Sequence, residues 1–382
     1  MRLSVFLLCV LVSACAVQPT APPRPDYLFN DAAFRPRAIP ADINVFAPSA
    51  AMKHFLYEDI ASPMRRMGHL DGLIDALQNR AQLKLEYDSA VTRTAAEAFD
   101  ARAGNCISLV IMTAALAKEL GLLVYYQQVH SEQTWSRDGD IAFRSGHVNL
   151  ILRPFPGIRG LIRESSKEMI VDFLPPEEVR GYQATEITER TVVAMFMNNR
   201  AAEALVRGQL DDAYWWAREA ILRDSGFLEA YNTLGVIYRR HGNMNEAERI
   251  YRLLLERDRE NPTVLANLAA VLGSTGRTDE AQALLRRLNR VEPYPPFYFM
   301  DQAQVALKKG DFNAAIALFS RELARDPDYH AAHFGLAATY FQLRNLAAAR
   351  EHLAAAKQNS TTPRDHALYA GKLERLRSYQ AN

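Results

Sequence analysis

A period of 34 residues is the feature that most constrains how this chain can fold. Small residues recur at this spacing in a first series, at Ala201, Gly235, Ala269, Ala303 and Ala337. They recur in a second series, at Ala213, Ala247, Ala281, Ala315 and Ala349. Small side chains at fixed positions allow the two helices of one unit, and the unit that follows, to approach closely. The pattern predicts five stacked helix pairs over residues 194–361 and a capping helix over residues 365–378, within an all-α region of residues 194–382.

The repeated unit resembles the tetratricopeptide repeat. Tyr238 and Tyr340 follow the small residue of their units by three positions, and glycines mark the turns between paired helices. The resemblance implies an all-α superhelix that holds an extended peptide or a partner helix, although a spacer or a dimerisation surface stays the alternative. Five aromatic residues of this region are either contact residues or inter-helix core, and core is the favoured interpretation: Trp215, Trp216, Tyr294, Phe297 and Tyr298.

Residues 1–15 have the pattern of an export signal. A short basic start precedes an apolar run over residues 3–12 that is too short to span a membrane. The Val-Ser-Ala-Cys sequence that ends at Cys15 resembles the bacterial lipobox, in which the leader is cut before the cysteine and that cysteine is lipidated. The resemblance implies a lipid anchor at Cys15 on the periplasmic side of the cell envelope, and Ala16 implies the outer membrane. An ordinary secretory leader cut near residue 14 or 16 stays the alternative.

The residues after this leader predict an extended tether, and the mature chain is predicted to keep a single free thiol. Residues 16–50 contain seven prolines and few periodic apolar positions, which predicts an extended tether with no fold of its own. An exported chain lies in an oxidising compartment. Because Cys9 and Cys15 belong to the leader pattern, Cys106 is the one free thiol that remains, and no internal disulfide is predicted.

Cys106 lies at the start of a predicted helix. The apolar run of residues 109–120 ends on Gly121, so the thiol meets unpaired backbone N–H groups and the positive end of the helix dipole, which favour a thiolate. Helical patterns over residues 52–101 lead into this helix. Three strand patterns follow it, over residues 122–129, 141–153 and 168–173. We therefore predict an α+β domain over residues 51–190, with an antiparallel sheet packed on the Cys106 helix.

The second and third strand patterns contain His147 and Asp172. A thiolate at a helix start, an imidazole on one strand and a carboxylate on the next can converge as nucleophile, base and orienting group. A second assignment stays open, in which His130 acts with Asp138 or Asp140, although these residues lie in a turn-rich connection.

Three short segments carry a family resemblance. Residues 102–108 (Arg-Ala-Gly-Asn-Cys-Ile-Ser), Gly-His-Val at 146–148 and Val-Asp-Phe at 171–173 resemble the transglutaminase-like cysteine-enzyme superfamily, over roughly residues 90–180. The resemblance implies a papain-like α+β fold with Cys106 as nucleophile, His147 as general base and acid, and Asp172 as the group that orients the imidazole. The oxyanion donors are predicted to be the Cys106 backbone N–H and a side chain, for which Gln127 and Gln128 are candidates.

The function predicted from these motifs is acyl transfer through a thioester on Cys106. Release by water makes the chain a peptidase or amidase on a protein or peptide substrate that the repeats select. Release by a lysine amine makes it a cross-linking transglutaminase, which stays an alternative. A second alternative is a non-catalytic envelope scaffold that binds partners through the repeats.

Composition and motifs argue against other classes. The net charge of +1, from 45 basic and 44 acidic side chains, lacks the basic footprint that nucleic-acid binding needs. No metal-ligand spacing, paired cysteines or glycine-rich phosphate loop is present, so neither a metal site nor a cofactor is predicted. His54 and His69 lie in the entry helices without a partner motif.

Overall fold

The computed structural model describes residues 25–39, 43–78, 83, 85–138, 141–155, 168–173 and 183–381. The predicted leader, with Cys15 and its lipobox-like pattern, lies outside the described residues. The side chains of residues 130–145 and 378–381 also lie outside the description. Among the helices of the described ranges, none combines the length and the apolar character needed to cross a membrane.

The helical pattern before Cys106 folds into four short helices: α1 spans Ala50–His54 and continues as a π-helical turn over Phe55–Asp59, α2 spans Ala61–Met67, α3 His69–Gln78 and α4 Ala95–Ala101. The side chain of Ser49 caps α1, and Thr94 forms a capping box with Glu97 at α4. Both helices therefore begin where a side-chain oxygen satisfies a free backbone N–H. Their apolar positions are buried together, including Met52, Phe55, Leu56, Leu73 and Phe99.

Helix α5, Cys106–Glu119, lies at the centre of the N-terminal region. Residues 107–117 are all buried, as expected for a helix that is surrounded by other elements. β1 at Glu86–Tyr87 and β2 at Ala103–Gly104 form a short parallel pair, and β2 leads directly into the first residue of α5. α5 packs against α4 on one side and against the sheet on the other.

Over the described part of the chain, that sheet has four antiparallel strands in the order β5-β4-β3-β6: β3 spans Leu123–Asp138, β4 Ile141–Arg153, β5 Met169–Val171 and β6 Gln183–Ile187. The first three strands lie at the segments in which the sequence predicts them, but β3 continues over residues 130–138, which the sequence predicts to be a turn-rich connection. β6 is an addition, because its largely exposed Gln-Ala-Thr-Glu-Ile sequence lacks an alternating apolar face and is stabilised by pairing with β3.

The repeats fold into five helix pairs and a terminal helix. The pairs are α6 (Glu189–Val206) with α7 (Leu210–Arg223), α8 (Leu228–His241) with α9 (Met244–Arg257), α10 (Pro262–Ser274) with α11 (Thr278–Val291), α12 (Tyr298–Lys309) with α13 (Phe312–Arg325), and α14 (His330–Gln342) with α15 (Leu346–Gln358). The terminal helix α16 spans Pro363–Ala381. α6 thus begins ahead of the predicted boundary at residue 194, and α16 exceeds the predicted capping helix at both ends.

Close packing explains why the small positions repeat. A Cβ placed on Gly235 meets the ring of Tyr251 at 2.7 Å, which is closer than carbon atoms approach. Tyr251 is fully buried. A side chain at this position would therefore displace the Tyr251 ring, and a glycine lets α8 and α9 pack closely.

The predicted stacking of five pairs is interrupted at one junction. α9 packs against α10 and α13 against α14, whereas α11 and α12 make almost no contact. The buried core is divided at the same place, since one cluster extends from the N-terminal region to Ala281 and the next begins at Phe297.

The structure also differs from the predicted tether of residues 16–50. Residues 26–37 pack on α7, α8 and α9, with Leu28 and Phe34 buried. The Phe34 ring stacks on Tyr214 with the ring centres 4.0 Å apart, and the Tyr214 hydroxyl donates to Asp31 at 2.6 Å. We refer to residues 26–37 as the N-terminal strap. Proline content alone did not reveal it, because its partners lie about 180 residues further along the chain.

Candidate active site

Asn105 fixes the start of α5 and therefore the position of Cys106. Its Oδ1 accepts from the backbone N–H of Ser108 at 3.0 Å and from the Ser108 hydroxyl at 2.8 Å. Cys106 is the first residue of the helix and is partly buried. Its side chain thus lies beside the free N–H groups of the first turn, where negative charge is stabilised.

His147 and Asp172 meet on neighbouring strands. The register of β4 and β5 pairs Leu150 with Val171, which places Asp172 next to Asn149 at the end of β5. Nε2 of His147 donates to Oδ1 of Asp172 at 2.6 Å, and only 5% of the His147 side chain is exposed. Nδ2 of Asn149 donates to the other carboxylate oxygen at 2.9 Å. The carboxylate is therefore held from two sides and in turn holds the imidazole.

His147 also lies near enough to Cys106 to interact with it electrostatically, so the three predicted residues come together. Cys106 and Asp172 both favour the charged imidazole, and because Asp172 occupies Nε2, the nitrogen that remains for the thiol is Nδ1. Burial disfavours the imidazolium, but hydrogen bonds and charge attraction from Asp172 and Cys106 outweigh it and raise the pKa of His147 from 6.5 to about 9. His147 is therefore protonated at neutral pH, beside a thiol at a helix start.

The sheet register separates the two glutamine candidates. Gln127 lies opposite Asn149 and Gln128 opposite Val148. Successive side chains of a strand point to opposite faces, so Gln127 shares the face of Asn149 and His147, whereas Gln128 does not. Both assignments as oxyanion donors stay predictions, and the register favours Gln127.

The other candidate residues have separate positions. His54 lies 3.6 Å from Asp59 with both side chains exposed, and Nδ1 of His69 contacts the Leu120 carbonyl at 3.1 Å. The side chains of His130 and Asp138, and all of Asp140, lie outside the described residues. Within the described ranges, no three His, Cys, Asp or Glu side chains group as metal ligands do.

Sequence reasoning missed two residues that support this site. Asn149 is one, and its signal is its position two residues after His147 on the same strand face. Glu203 of α6 is the other, and it carries no sequence signal because it belongs to the repeats. Its Oε1 accepts from the backbone N–H of Thr92 at 2.6 Å, and Arg200 donates to the Thr92 carbonyl at 3.2 Å.

Thr92 connects the repeats to the start of α5. Its hydroxyl accepts from Nδ2 of Asn105 at 2.8 Å, and Asn105 caps the helix that carries Cys106. Burial raises the pKa of Glu203, although its bonds to Thr92 oppose this change. A buried carboxyl group of the first repeat thus helps to hold the loop before α4, one hydrogen bond away from the cap of the cysteine helix.

The C-terminal repeats match known family models. Tetratricopeptide-repeat family models match residues 238–296 and residues 300–362. The C-terminal region therefore contains tetratricopeptide repeats, and the repeat family predicted from the 34-residue period is confirmed. No curated protein sequence matches the chain.

The chain is also similar to three solved structures. YrrB, described as a TPR protein with an unusual peptide-binding site, is 23% identical over 47% of this chain and 92% of its own, with a TM-score of 0.25. The pilF protein of Pseudomonas aeruginosa is 20% identical over 51% and 99%, with a TM-score of 0.28. The MamA protein is 16% identical over 45% and 93%, with a TM-score of 0.26. These scores are low, so the likenesses carry no argument about the arrangement or the ligands of this chain.

Proposed function

We propose that the chain is a cysteine enzyme that transfers acyl groups through a thioester on Cys106. The observation that carries the proposal is the position of the His147 imidazole, which is hydrogen-bonded to the Asp172 carboxylate and close enough to Cys106 for the thiol to raise its pKa. This is the relation of nucleophile, base and orienting group. A helix packed on an antiparallel sheet, with Cys, His and Asp in that order, supports a transglutaminase-like and papain-like relationship for residues 51–190.

The reaction follows from the positions of these groups. The Cys106 thiolate attacks the carbonyl carbon, a C–S bond forms, and the backbone N–H of Cys106 with Gln127 stabilises the oxyanion. The His147 imidazolium gives its proton to the leaving amine as the C–N bond breaks, which leaves a thioester. Neutral His147 then takes a proton from water, the resulting hydroxide attacks the thioester carbonyl, and the C–S bond breaks. The carboxylic acid leaves, and the Cys106 thiolate and the His147 imidazolium are restored. A lysine amine in place of water gives a cross-linked product.

The repeats supply the second part of the proposal. Tetratricopeptide repeats are helical arrays that bind peptides and protein segments. We propose that they hold the protein or peptide substrate, and that water is the acceptor because it needs no second binding site. α5 packs directly against α6, so a substrate held by the repeats lies close to the region that carries Cys106.

A thiol-reactivity measurement tests the enzyme proposal. Iodoacetamide alkylation of Cys106, followed by peptide mass spectrometry, is expected to be faster than alkylation of N-acetylcysteine at pH 7. His147→Ala is expected to lower the rate at least tenfold. His69→Ala is the matched control, because its ring contacts only a carbonyl away from the thiol, and the rate should not change. Equal rates for Cys106 and the model thiol, unaffected by His147→Ala in a folded variant, would remove the basis for catalysis.

A non-catalytic scaffold is the second candidate, and the family matches to the repeats favour it. Deletion of the thiol separates the two functions. If Cys106→Ser retains every phenotype of the chain in its host while loss of the repeats does not, the scaffold is the function.

We also propose that Cys15 carries a lipid anchor on the periplasmic side of the outer membrane. The support is the sequence that ends at Cys15. Labelled fatty acid should be incorporated into the chain in a bacterial host and lost in Cys15→Ser, whereas Cys9→Ser should leave labelling intact. Labelling that survives Cys15→Ser contradicts the anchor.

A further inference from the structure

The junction between α11 and α12 exposes apolar side chains that the other repeats bury. Tyr251, Phe319 and Leu353 occupy one register position in the second, fourth and fifth pairs, and all three are buried. Leu285 occupies the same position in the third pair and is 42% exposed. The third pair therefore lacks the neighbour that covers this position elsewhere in the array.

The other side of the junction shows the same change. Ile237, Val271 and Thr339 occupy one register position in the second, third and fifth pairs and are fully buried. Val305 occupies that position in the fourth pair and is 47% exposed. Leu285 on one face of the junction and Val305 on the other are thus apolar side chains at positions that stacking of α11 and α12 would bury. Exposed apolar positions that match in this way indicate a contact that forms in another state.

The chain between the two faces is long enough for that contact. Gly276 and Gly310 mark the helix turns on either side of the junction and are 34 residues apart, as Gly242 and Gly276 are at the stacked junction before it. The connecting residues 292–297 include three prolines, and Phe297 has a φ of 66°, which a bulky side chain rarely adopts. The spacing permits stacking, and the open arrangement includes a strained backbone at Phe297.

We propose that the repeats have a second conformation in which α12 packs on α11 and the five pairs form one continuous array. The moving body consists of α12–α16, which has its own buried clusters. The fixed body consists of the N-terminal region with α6–α11, which share one core. Residues 292–297 form the hinge, and Leu285 and Val305 become buried when the hinge closes.

A contact between the two bodies holds the open conformation. The backbone N–H and the hydroxyl of Ser89 both donate to the carbonyl of Thr361, at 3.1 and 3.0 Å. Thr361 lies between α15 and α16, and Ser89 lies three residues before Thr92. Rotation about the hinge moves Thr361 relative to Ser89, so closure acts on the loop that supports the cap of α5. This consequence rests on the proposed function of Cys106, whereas the closure itself does not.

Spin-label distances test the second conformation directly. In a chain whose three cysteines are replaced by serine, labels are placed at the exposed positions Arg290 and Gln304, on either side of the open junction. The matched control pair, Glu256 and Ala270, lies 34 residues earlier, across a junction that is stacked in the structure. We expect one distance for the control pair, and for the test pair two distances, one of which equals the control distance.

Substitutions on the two faces show whether stacking causes the second distance. Leu285→Asp is expected to abolish it, because a carboxylate cannot be buried in the closed junction without cost. Ala283→Asp is the control on the same helix, because the register position of Ala283 is exposed in all four later pairs, and it should keep both distances. A single test distance that differs from the control distance overturns the proposal, and so does equal sensitivity to the two substitutions. Cys106 is absent from this experiment, so its result is independent of the enzyme proposal.

Discussion

Replacing Asp172 by Asn should change the charge state of His147 at neutral to alkaline pH. The shift in the pKa of His147 from 6.5 to about 9 corresponds to a preference of about 3 kcal/mol for the imidazolium, at about 1.36 kcal/mol per pKa unit. Asp172 contributes more to this preference than Cys106 does, through its hydrogen bond and its negative charge. Asp172→Asn removes the charge and leaves burial, which favours neutral imidazole. We expect the pKa of His147 to fall by about 1–3 units.

Two alkylating agents report this charge through Cys106. Iodoacetate is an anion and iodoacetamide is neutral, so an imidazolium beside the sulfur raises the ratio of their rates. In the unchanged chain the ratio should stay high at neutral pH and fall as the pH rises through about 9, where His147 loses its proton. In Asp172→Asn the fall should occur about 1–3 pH units lower. Peptide mass spectrometry assigns each alkylation to Cys106.

Asp59→Asn is the matched control, because Asp59 is an exposed carboxylate that faces His54. Its ratio should follow the unchanged chain. A midpoint that is the same in Asp172→Asn and in the unchanged chain would refute the argument that Asp172 sets the charge of His147. A midpoint that shifts equally in both variants would refute it as well.

Three further variants test the links between the repeats and the rest of the chain. Glu203→Ala should slow Cys106 alkylation several-fold and shift its pH profile, because the backbone N–H of Thr92 loses its acceptor. Glu203→Gln keeps an acceptor and should restore the rate. Equal rates in the two variants would contradict a connection between Glu203 and Cys106. Gly235→Ala should lower the free energy of unfolding by about 1–3 kcal/mol in denaturant titration, because its Cβ meets the Tyr251 ring, while Gly273→Ala, with nothing within 4 Å, should not. Phe34→Ala should lower the free energy of unfolding by about 3–5 kcal/mol, because the N-terminal strap loses its packing on Tyr214. An unchanged unfolding midpoint would show that the strap does not contribute to the stability of the fold.

The fold could be predicted where it rests on local periodicity. The repeats can be predicted because small residues such as Gly235 recur where helices approach each other. The Cys106 helix can be predicted because Asn105 and Gly121 delimit an apolar run. β6, the N-terminal strap and the α11–α12 junction depend on partners that are remote in sequence. The stacking of Phe34 on Tyr214 could not be predicted, because no local sequence pattern connects two aromatic residues that lie so far apart in the chain.

The candidate site was predictable to the same degree. Cys106, His147 and Asp172 each occur in a short segment of recognisable type, and the structure brings the three side chains together. Asn149 follows from strand alternation once His147 is chosen. Glu203 could not be predicted, because its role depends on the packing of α6 against the loop that contains Thr92.

Detection of an acyl-enzyme tests the central claim most directly. The chain is mixed with an activated ester, such as p-nitrophenyl acetate, quenched in acid, and digested for mass spectrometry. The account predicts an acyl group on Cys106 that hydroxylamine removes, that decays in water, and that does not form at a comparable rate in His147→Ala. An acyl group that forms on Cys106 equally fast without His147, or does not form at all, would contradict the claim that Cys106, His147 and Asp172 act as a catalytic unit.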